Sequence, residues 1–441
     1  MFKDLDQYTP IETDWSYDGG VDKCKAYLTP AINSFRAYKK PLVLVRGQRH
    51  YLWDADGKKY VDMMAQNLCI SVGYNHPLVT AETKKQIDLL QHATTMYIQA
   101  VPAHFGEELV ARFPKEEDWV VHLVNSGAEA ADLALSMAQL YTGNYDMIAL
   151  RTSYHGVHAA GMALSGISGF KQPMPPLPGI HHVANPDPYR GVFGDNVDEY
   201  VEEISRTIFS STPGRVAGFI VEPIQGFGGV IPMPEGYIPK AFERIRAAGG
   251  ICIVDEIQTG MARTGENFWG FQAHDVIPDM ILLGKGLGNG YPLSAVVVKR
   301  EIAEAMSHRK YFNTYAFNPI CCAAGRAVLR AIDEDDILQN AKEVGGYLRK
   351  RMRELQEKYD VIGGVRGMGL HDGVELVKDR NTKTPGVEEA EYIAEYAKDN
   401  GVVIGKGGAL GNMLRMNPPM CIQKEDIDFV TEVLDEGFRR M

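Results

Sequence analysis

The chain has no hydrophobic run approaching the ~18 residues that a helix needs to cross a bilayer. Its six cysteines, Cys24, Cys69, Cys252, Cys321, Cys322 and Cys421, form no Cys-x-x-Cys pair. That scatter excludes a disulfide framework and a cysteine-built zinc site, and it reads as buried thiols in a reducing compartment. The twelve histidines include His181-His182 but no His-Glu-x-x-His, so no metal site is expected. Basic residues form no long run, and the formal net charge is -11. Nucleic acid and anionic membranes are therefore excluded as main partners. The opening residues, Met1-Phe2-Lys3-Asp4-Leu5-Asp6, lack both the apolar segment of a secretory signal and the arginines of a transit peptide. The expected location is cytoplasmic. There is no fixed-period repeat and no low-complexity segment.

What is present is ordinary for a soluble protein of two or three domains: 441 residues, 45% hydrophobic and 23% charged. Between about residues 119 and 300, short apolar runs alternate with amphipathic stretches. The runs are Val120–Val124, Met147–Leu150, Ala217–Val221, Ile251–Val254 and Met280–Leu283. Short, nearly unbroken apolar strands between helices predict an α/β fold, with a mostly parallel central sheet sandwiched by helices. Pocket residues are then expected at the carboxyl ends of the strands. Asp56-Gly57 between two half-apolar runs predicts a hairpin. A helical pattern covers Ala341 to Tyr359, and Gly373–Val377 reads as a strand. Residues 1–64 and 321–441 are expected to form one small α+β domain beside a large domain of residues 65–320. The Pro-rich stretch Gln172 to Asp195 is expected to have little regular structure, and a loop of that length is more often functional than idle.

Two of the apolar runs end in chemistry. Met280–Leu283 leads into Gly284-Lys285-Gly286-Leu287-Gly288-Asn289-Gly290, and Ile251–Val254 leads into Asp255-Glu256. A lysine after a strand is ordinarily a solvated loop residue. A nucleotide-binding P-loop would need a Gly-Lys-Ser/Thr ending, which is absent. An amine and a carboxylate at neighbouring strand ends fit pyridoxal phosphate (PLP) chemistry. Lys285 would form a Schiff base with the cofactor, and Asp255 would keep the pyridine nitrogen protonated. Ser126, Gly127 and Ala128 follow the first run and precede a helical face at Ala130, Leu133, Ala134, Met137, Ala138 and Tyr141. A helix N-terminus there either is capped by Ser126 or binds an anion. With Lys285 and Asp255, a cofactor phosphate is the better reading. Ile257 would pack on one ring face and Gln258 would meet the ring hydroxyl. Tyr154 would stack on the other face, or is a core aromatic.

The segments LVNSGAEA, SYHG, VEPIQG, VDEIQTGMARTG, LLGKGLGNGYPLSAV, NTYAFNP and LRMNPPM occur in that order. From about residue 40 to the end, the chain resembles the class III, fold-type I, PLP-dependent aminotransferases. It is most similar to the branch of alanine–glyoxylate aminotransferases of the second type. The resemblance implies Lys285 as the Schiff-base lysine and proton shuttle, Asp255 on the pyridine nitrogen, Gln258 on the ring oxygen, and Ser126 and Gly127 on the phosphate. It implies that Thr314 reaches the phosphate of the neighbouring subunit, so the expected assembly is a homodimer or a dimer of dimers. It implies that Arg415 binds the substrate carboxylate; without it, a structural salt bridge is the plainer reading of Arg415. The expected reaction is ping-pong transfer of an amino group from alanine or β-alanine to glyoxylate or pyruvate. The alternative is a PLP lyase acting on a phosphorylated or related small amine. Three departures from the pattern bear on substrate. Phe227 stands where glutamate-using members often carry an acid, Ala65-Gln66-Asn67 lies near the substrate, and Ala316-Phe317 replaces a glycine pair.

Overall fold

The computed structural model describes Thr9, residues 11–173 and residues 175–441. The reading of Met1–Asp6 lies outside the described residues. In the N-terminal part, β1 (Leu44–Gln48), β2 (Tyr51–Asp54) and β3 (Lys59–Asp62) form an antiparallel meander. Asp56-Gly57 turns the chain between β2 and β3. Gly57 has φ +80, and Asp54 Oδ1 accepts the N–H groups of Asp56 and Lys58 at 3.0 and 2.9 Å.

The central sheet contains β4 (Trp119–Val124), β5 (Met147–Leu150), β6 (Ile180–Val183), β7 (Gly218–Val221), β8 (Ile251–Asp255), β9 (Met280–Leu283) and β10 (Ser294–Lys299). Their spatial order is β4-β10-β9-β8-β7-β5-β6. Only β10 runs antiparallel to its neighbours, β9 and β4. All five predicted apolar runs are strands of this sheet. Two strands escaped the sequence reading. β10 follows the glycine-rich turn and only begins inside the segment LLGKGLGNGYPLSAV. β6, four residues long, falls inside the stretch Gln172 to Asp195, where the sequence predicts little regular structure. The paired histidines of β6 break its apolar run; as an edge strand it needs less apolar cover, and His181 Nε2 lies 2.7 Å from Asp146 Oδ1.

Side chains alternate across the sheet, so successive residues serve opposite cores. Ile253, Leu282 and Val296 pack against Ala130, Leu133, Ala134 and Met137 of the helix Gly127–Thr142. Val254, Ile281 and Val297 belong to the other core, with Phe242 and Ile245 of the helix Tyr237–Ala247. Each large apolar side chain so buried contributes about 1.5–3 kcal/mol before ordering costs. The strands are held on both faces, and their carboxyl ends become fixed mounts.

The C-terminal part holds β11 (Ile362–Met368), β12 (His371–Asp379), β13 (Val402–Val403), β14 (Gly405–Gly407) and β15 (Met413–Met416). The helix Ile337–Lys358 covers the predicted helical stretch except Tyr359, its extended C-cap, and β12 encloses the predicted strand. β13 pairs in parallel with β3, placing Val402 beside Val61. Both ends of the chain thus share one sheet, ordered β1-β2-β3-β13. β15 lies between β12 and β14 and carries Arg415. Among the described residues no helix is long and apolar enough to cross a membrane, and no acid, histidine and cysteine cluster could hold a metal.

Candidate active site

β8 and β9 run side by side in parallel, with Asp255 opposite Leu282. Asp255 ends its strand. Lys285 follows two residues after β9, in a left-handed conformation (φ +45) that swings it out of the strand line. The lysine is half-buried. Burial, then the neighbouring Arg415 cation, pushes its amine down to about 8.

Asp255 is buried and oriented from two sides. Its Oδ2 lies 2.7 Å from His155 Nδ1, and its Oδ1 accepts the Ile257 N–H at 3.1 Å. His155 is itself buried, donates its backbone N–H to Ser165 Oγ at 2.8 Å, and has no partner on Nε2. Close by, Glu222 accepts the N–H groups of Tyr154 and Gly226, each at 3.1 Å. Burial pushes its carboxyl up to about 7. Sequence reasoning missed both His155 and Glu222. Each lay in a quoted segment, SYHG and VEPIQG, but neither had a spacing that marked it apart.

Ser126 caps the helix Gly127–Thr142, with Oγ accepting the Glu129 N–H at 3.3 Å. The capping reading therefore holds, and the first-turn N–H groups and the helix dipole still face an incoming anion. Ala128 lies in that turn. A Cβ on Gly127 would fall 2.6 Å from Ile257 Cδ1, so this helix end and the Asp255 strand end touch. The Thr314 segment arrives at the same place within one chain. Asn313 accepts from Asn125 Nδ2 at 3.2 Å and donates to Glu129 Oε2 at 2.9 Å, while Thr314 itself is exposed. Phe317 in this loop holds φ +61 with its ring against His122, 5.2 Å between centroids.

Tyr154 is half-buried and joins Phe170 and Phe227 in an aromatic group, with centroids 4.6 to 5.6 Å apart. Arg415 lies over Phe227, 5.8 Å from guanidinium carbon to ring centroid. The arginine is 2% exposed, and no carboxylate ion-pairs with it among the described residues. The salt-bridge reading of Arg415 is thereby set aside. Its Nη1 donates to Asn67 Oδ1 at 3.1 Å and its Nη2 to Gln258 Oε1 at 3.0 Å. Burial pushes its pKa down to about 10, so it stays charged at neutral pH.

Arginine only donates, which settles which amide atom faces it. Gln258 must present its oxygen to Arg415, leaving its amide N–H groups for a ring hydroxyl. A Cβ on Gly226 would fall 2.2 Å from that same oxygen, so only glycine allows the approach. A permanently charged guanidinium (Arg415), a tunable amine (Lys285), a buried carboxylate (Asp255) and a helix N-terminus thus surround one space. That donor set fits PLP: a helix end for its phosphate, a carboxylate for its ring nitrogen, an amine for its aldehyde.

Comparison with known proteins gives the family and the cofactor. The family described as aminotransferase class-III matches residues 34–437. An alanine–glyoxylate aminotransferase 2 homolog from Arabidopsis thaliana, named as mitochondrial, is 44% identical over 435 residues, spanning 98% of this chain and 90% of the relative. A phospholyase from Arthrobacter in complex with phosphoethanolamine superposes with a TM-score of 0.88 at 30% identity, covering 96% of this chain and 99% of its own. An amine transaminase from an uncultivated Pseudomonas species, solved with PLP bound, gives 0.87 at 29% identity, covering 94% and 97%.

Proposed function

The chain belongs to the class-III aminotransferases and uses PLP, and from that premise we propose that it moves an amino group from alanine or β-alanine to glyoxylate or pyruvate in two half-reactions. PLP supplies an aldehyde for the substrate amine and a ring that draws electron density from the α-carbon. The chain supplies the rest. Lys285 Nζ removes and returns the α-proton; with its amine pushed down to about 8, its neutral form is far more accessible near neutrality than that of an ordinary lysine. Asp255, set by His155 and the Ile257 N–H, holds the ring nitrogen's proton. Ser126, Gly127 and Ala128 would bind the phosphate, Ile257 and Tyr154 would flank the ring, and Gln258 would meet its hydroxyl.

One observation carries the substrate reading. Arg415 is a buried guanidinium held by two neutral oxygens and no acid. A buried charge without a counter-ion is costly unless a ligand completes it, and a planar fork suits a carboxylate. The lyase alternative draws support from the likeness to the Arthrobacter phospholyase. Phosphoethanolamine has no carboxylate to use Arg415, so transamination is favoured. Product analysis with alanine and glyoxylate tests this: pyruvate and glycine support it, whereas ammonia and phosphate from a phosphorylated amine overturn it.

A homodimer or dimer of dimers is part of the proposal. Met96, Tyr97, Ile98, Phe312 and Tyr315 are exposed apolar side chains, and a cavity of about 490 Å³ lined by Tyr97, Val110, Trp119 and Phe317 adjoins them. The cytoplasmic location is kept as a proposal, supported by six free cysteines; cell fractionation tests it. The small domain of residues 1–64 and 321–441 is likewise proposed, supported by the pairing of β3 with β13.

A further inference from the structure

Residues Ala65, Gln66, Asn67 and Leu68 have φ values of 48, 51, 61 and 68. Four consecutive non-glycine residues in the left-handed region make a strained turn, because each Cβ crowds a carbonyl oxygen. Asparagine tolerates that conformation better than most residues. The turn is held from beneath. Buried Asp62 accepts the N–H groups of Met64 and Ala65 at 2.8 and 3.0 Å through Oδ1, and the Tyr74 hydroxyl at 2.7 Å through Oδ2. That hydroxyl accepts from Gln66 Nε2 at 3.0 Å. The surrounding structure over-determines the turn, as strained functional backbone requires. What the turn delivers is the Asn67 amide, placed on Arg415.

Three half-buried arginines in this chain use acids, while buried Arg263 donates to the carbonyl oxygens of Leu370 and Pro418. Arg190 and Arg366 share Glu375, and Arg349 pairs with Asp372. Arg415 instead has amide oxygens on two of its N–H donors, and its Nε has no partner. An amide oxygen aims the fork without cancelling its charge; an aspartate of the same shape would do both. We propose that Asn67 is a positioning residue that sets the preference for carboxylate substrates, by holding Arg415 with a neutral oxygen and leaving its charge for the substrate. This rests on the reading of Arg415 as the carboxylate anchor.

The test uses the holoenzyme of wild type, Asn67→Asp and Asn67→Gly. Aspartate keeps the shape and tolerates the left-handed backbone. Glycine keeps the backbone and removes the amide, so it decides the matter should the aspartate variant fail to fold. Acetate and propionate binding is measured by calorimetry, and steady-state rates with alanine and glyoxylate are measured beside rates with isopropylamine, an amine without a carboxylate. For Asn67→Asp, the acetate Kd and the alanine KM should rise about tenfold or more, the scale of one lost charge-assisted interaction. The change should fall on KM rather than kcat, and isopropylamine should gain relative to alanine. Asn67→Gly should weaken acetate less than Asn67→Asp does, because it adds no charge. Acetate affinity unchanged in both variants would overturn the proposal, as would a loss confined to kcat. If wild type neither binds acetate nor transaminates alanine, the functional reading fails instead.

Discussion

Removing the His155 imidazole should damage turnover through Asp255. His155 Nδ1 lies 2.7 Å from Asp255 Oδ2, and both side chains are buried. In that dry setting a hydrogen bond to an ionised carboxylate contributes about 1.5–3 kcal/mol, or roughly 10- to 150-fold if all of it is felt in the transition state. His155→Ala leaves Asp255 with only the Ile257 N–H among its recorded donors. The carboxylate then turns more freely and holds the ring nitrogen less well. The assay is kcat/KM for alanine with glyoxylate, together with the absorbance of bound cofactor between pH 6 and 9. Loss of packing alone would also slow the enzyme, so a double-mutant cycle with Asp255→Asn is needed. In the Asp255→Asn background, His155→Ala should cost little more. Additive losses, or near-wild-type turnover in the single variant, would refute the coupling and leave His155 as a packing residue.

Lys285→Ala should keep PLP binding at the phosphate end yet lose nearly all turnover, since no other described amine reaches the space; borohydride should label wild type and not this variant. Lys285 also makes the apoenzyme's stability depend on pH. Its folded value of about 8 lies below the ordinary 10.5, so the folded state binds fewer protons between those values and this group's contribution rises from pH 8 to 10.5 and is flat below 8; thermal melts of Lys285→Met should lack that rise. Mixing Lys285→Ala with Thr314→Ala subunits should restore partial activity if Thr314 serves the neighbour's site, and no restoration would mean that Thr314, beside Asn313 on its own helix end, serves its own. Alanine should exceed glutamate in kcat/KM, because Phe227 beside Arg415 offers a second carboxylate no charge; a strong glutamate preference would refute the Phe227 argument.

The central strands were legible because their burial on both faces forces unbroken apolar runs. Lys285 and Asp255 were legible because each interrupts such a run at the end where pockets form. β6 was not, since Ile180-His181-His182-Val183 is half polar and borrows its partner Asp146 from elsewhere in the chain. His155 and Glu222 were illegible as functional groups for a related reason. Their importance lies in contacts to Asp255 and to the Tyr154 and Gly226 N–H groups, pairs that no local pattern encodes. Asn67 was marked only as a departure near the substrate. Its backbone strain and its bond to Arg415 exist only in three dimensions.

The charges of the site explain why those hidden residues matter. Asp255 is already answered by His155 and a backbone N–H, and Glu222 by two backbone N–H groups, with its carboxyl pushed up to about 7 by burial. Neither acid forms an ion pair with Lys285 or Arg415 among the described residues. The lysine is therefore free to lose its proton, and the arginine keeps an unspent charge. Had Glu222 lacked its backbone donors, or had Asn67 been an acid, one of the two cations would have been neutralised by the protein itself. The space is thus left electropositive at two separate places, the helix end at Ser126 and the fork of Arg415, with the buried Asp255 carboxylate also at its wall. On the proposed function, a ligand pair bearing a phosphate at one end and a carboxylate at the other would complete that field, and a substrate without the carboxylate would leave Arg415 buried and unanswered.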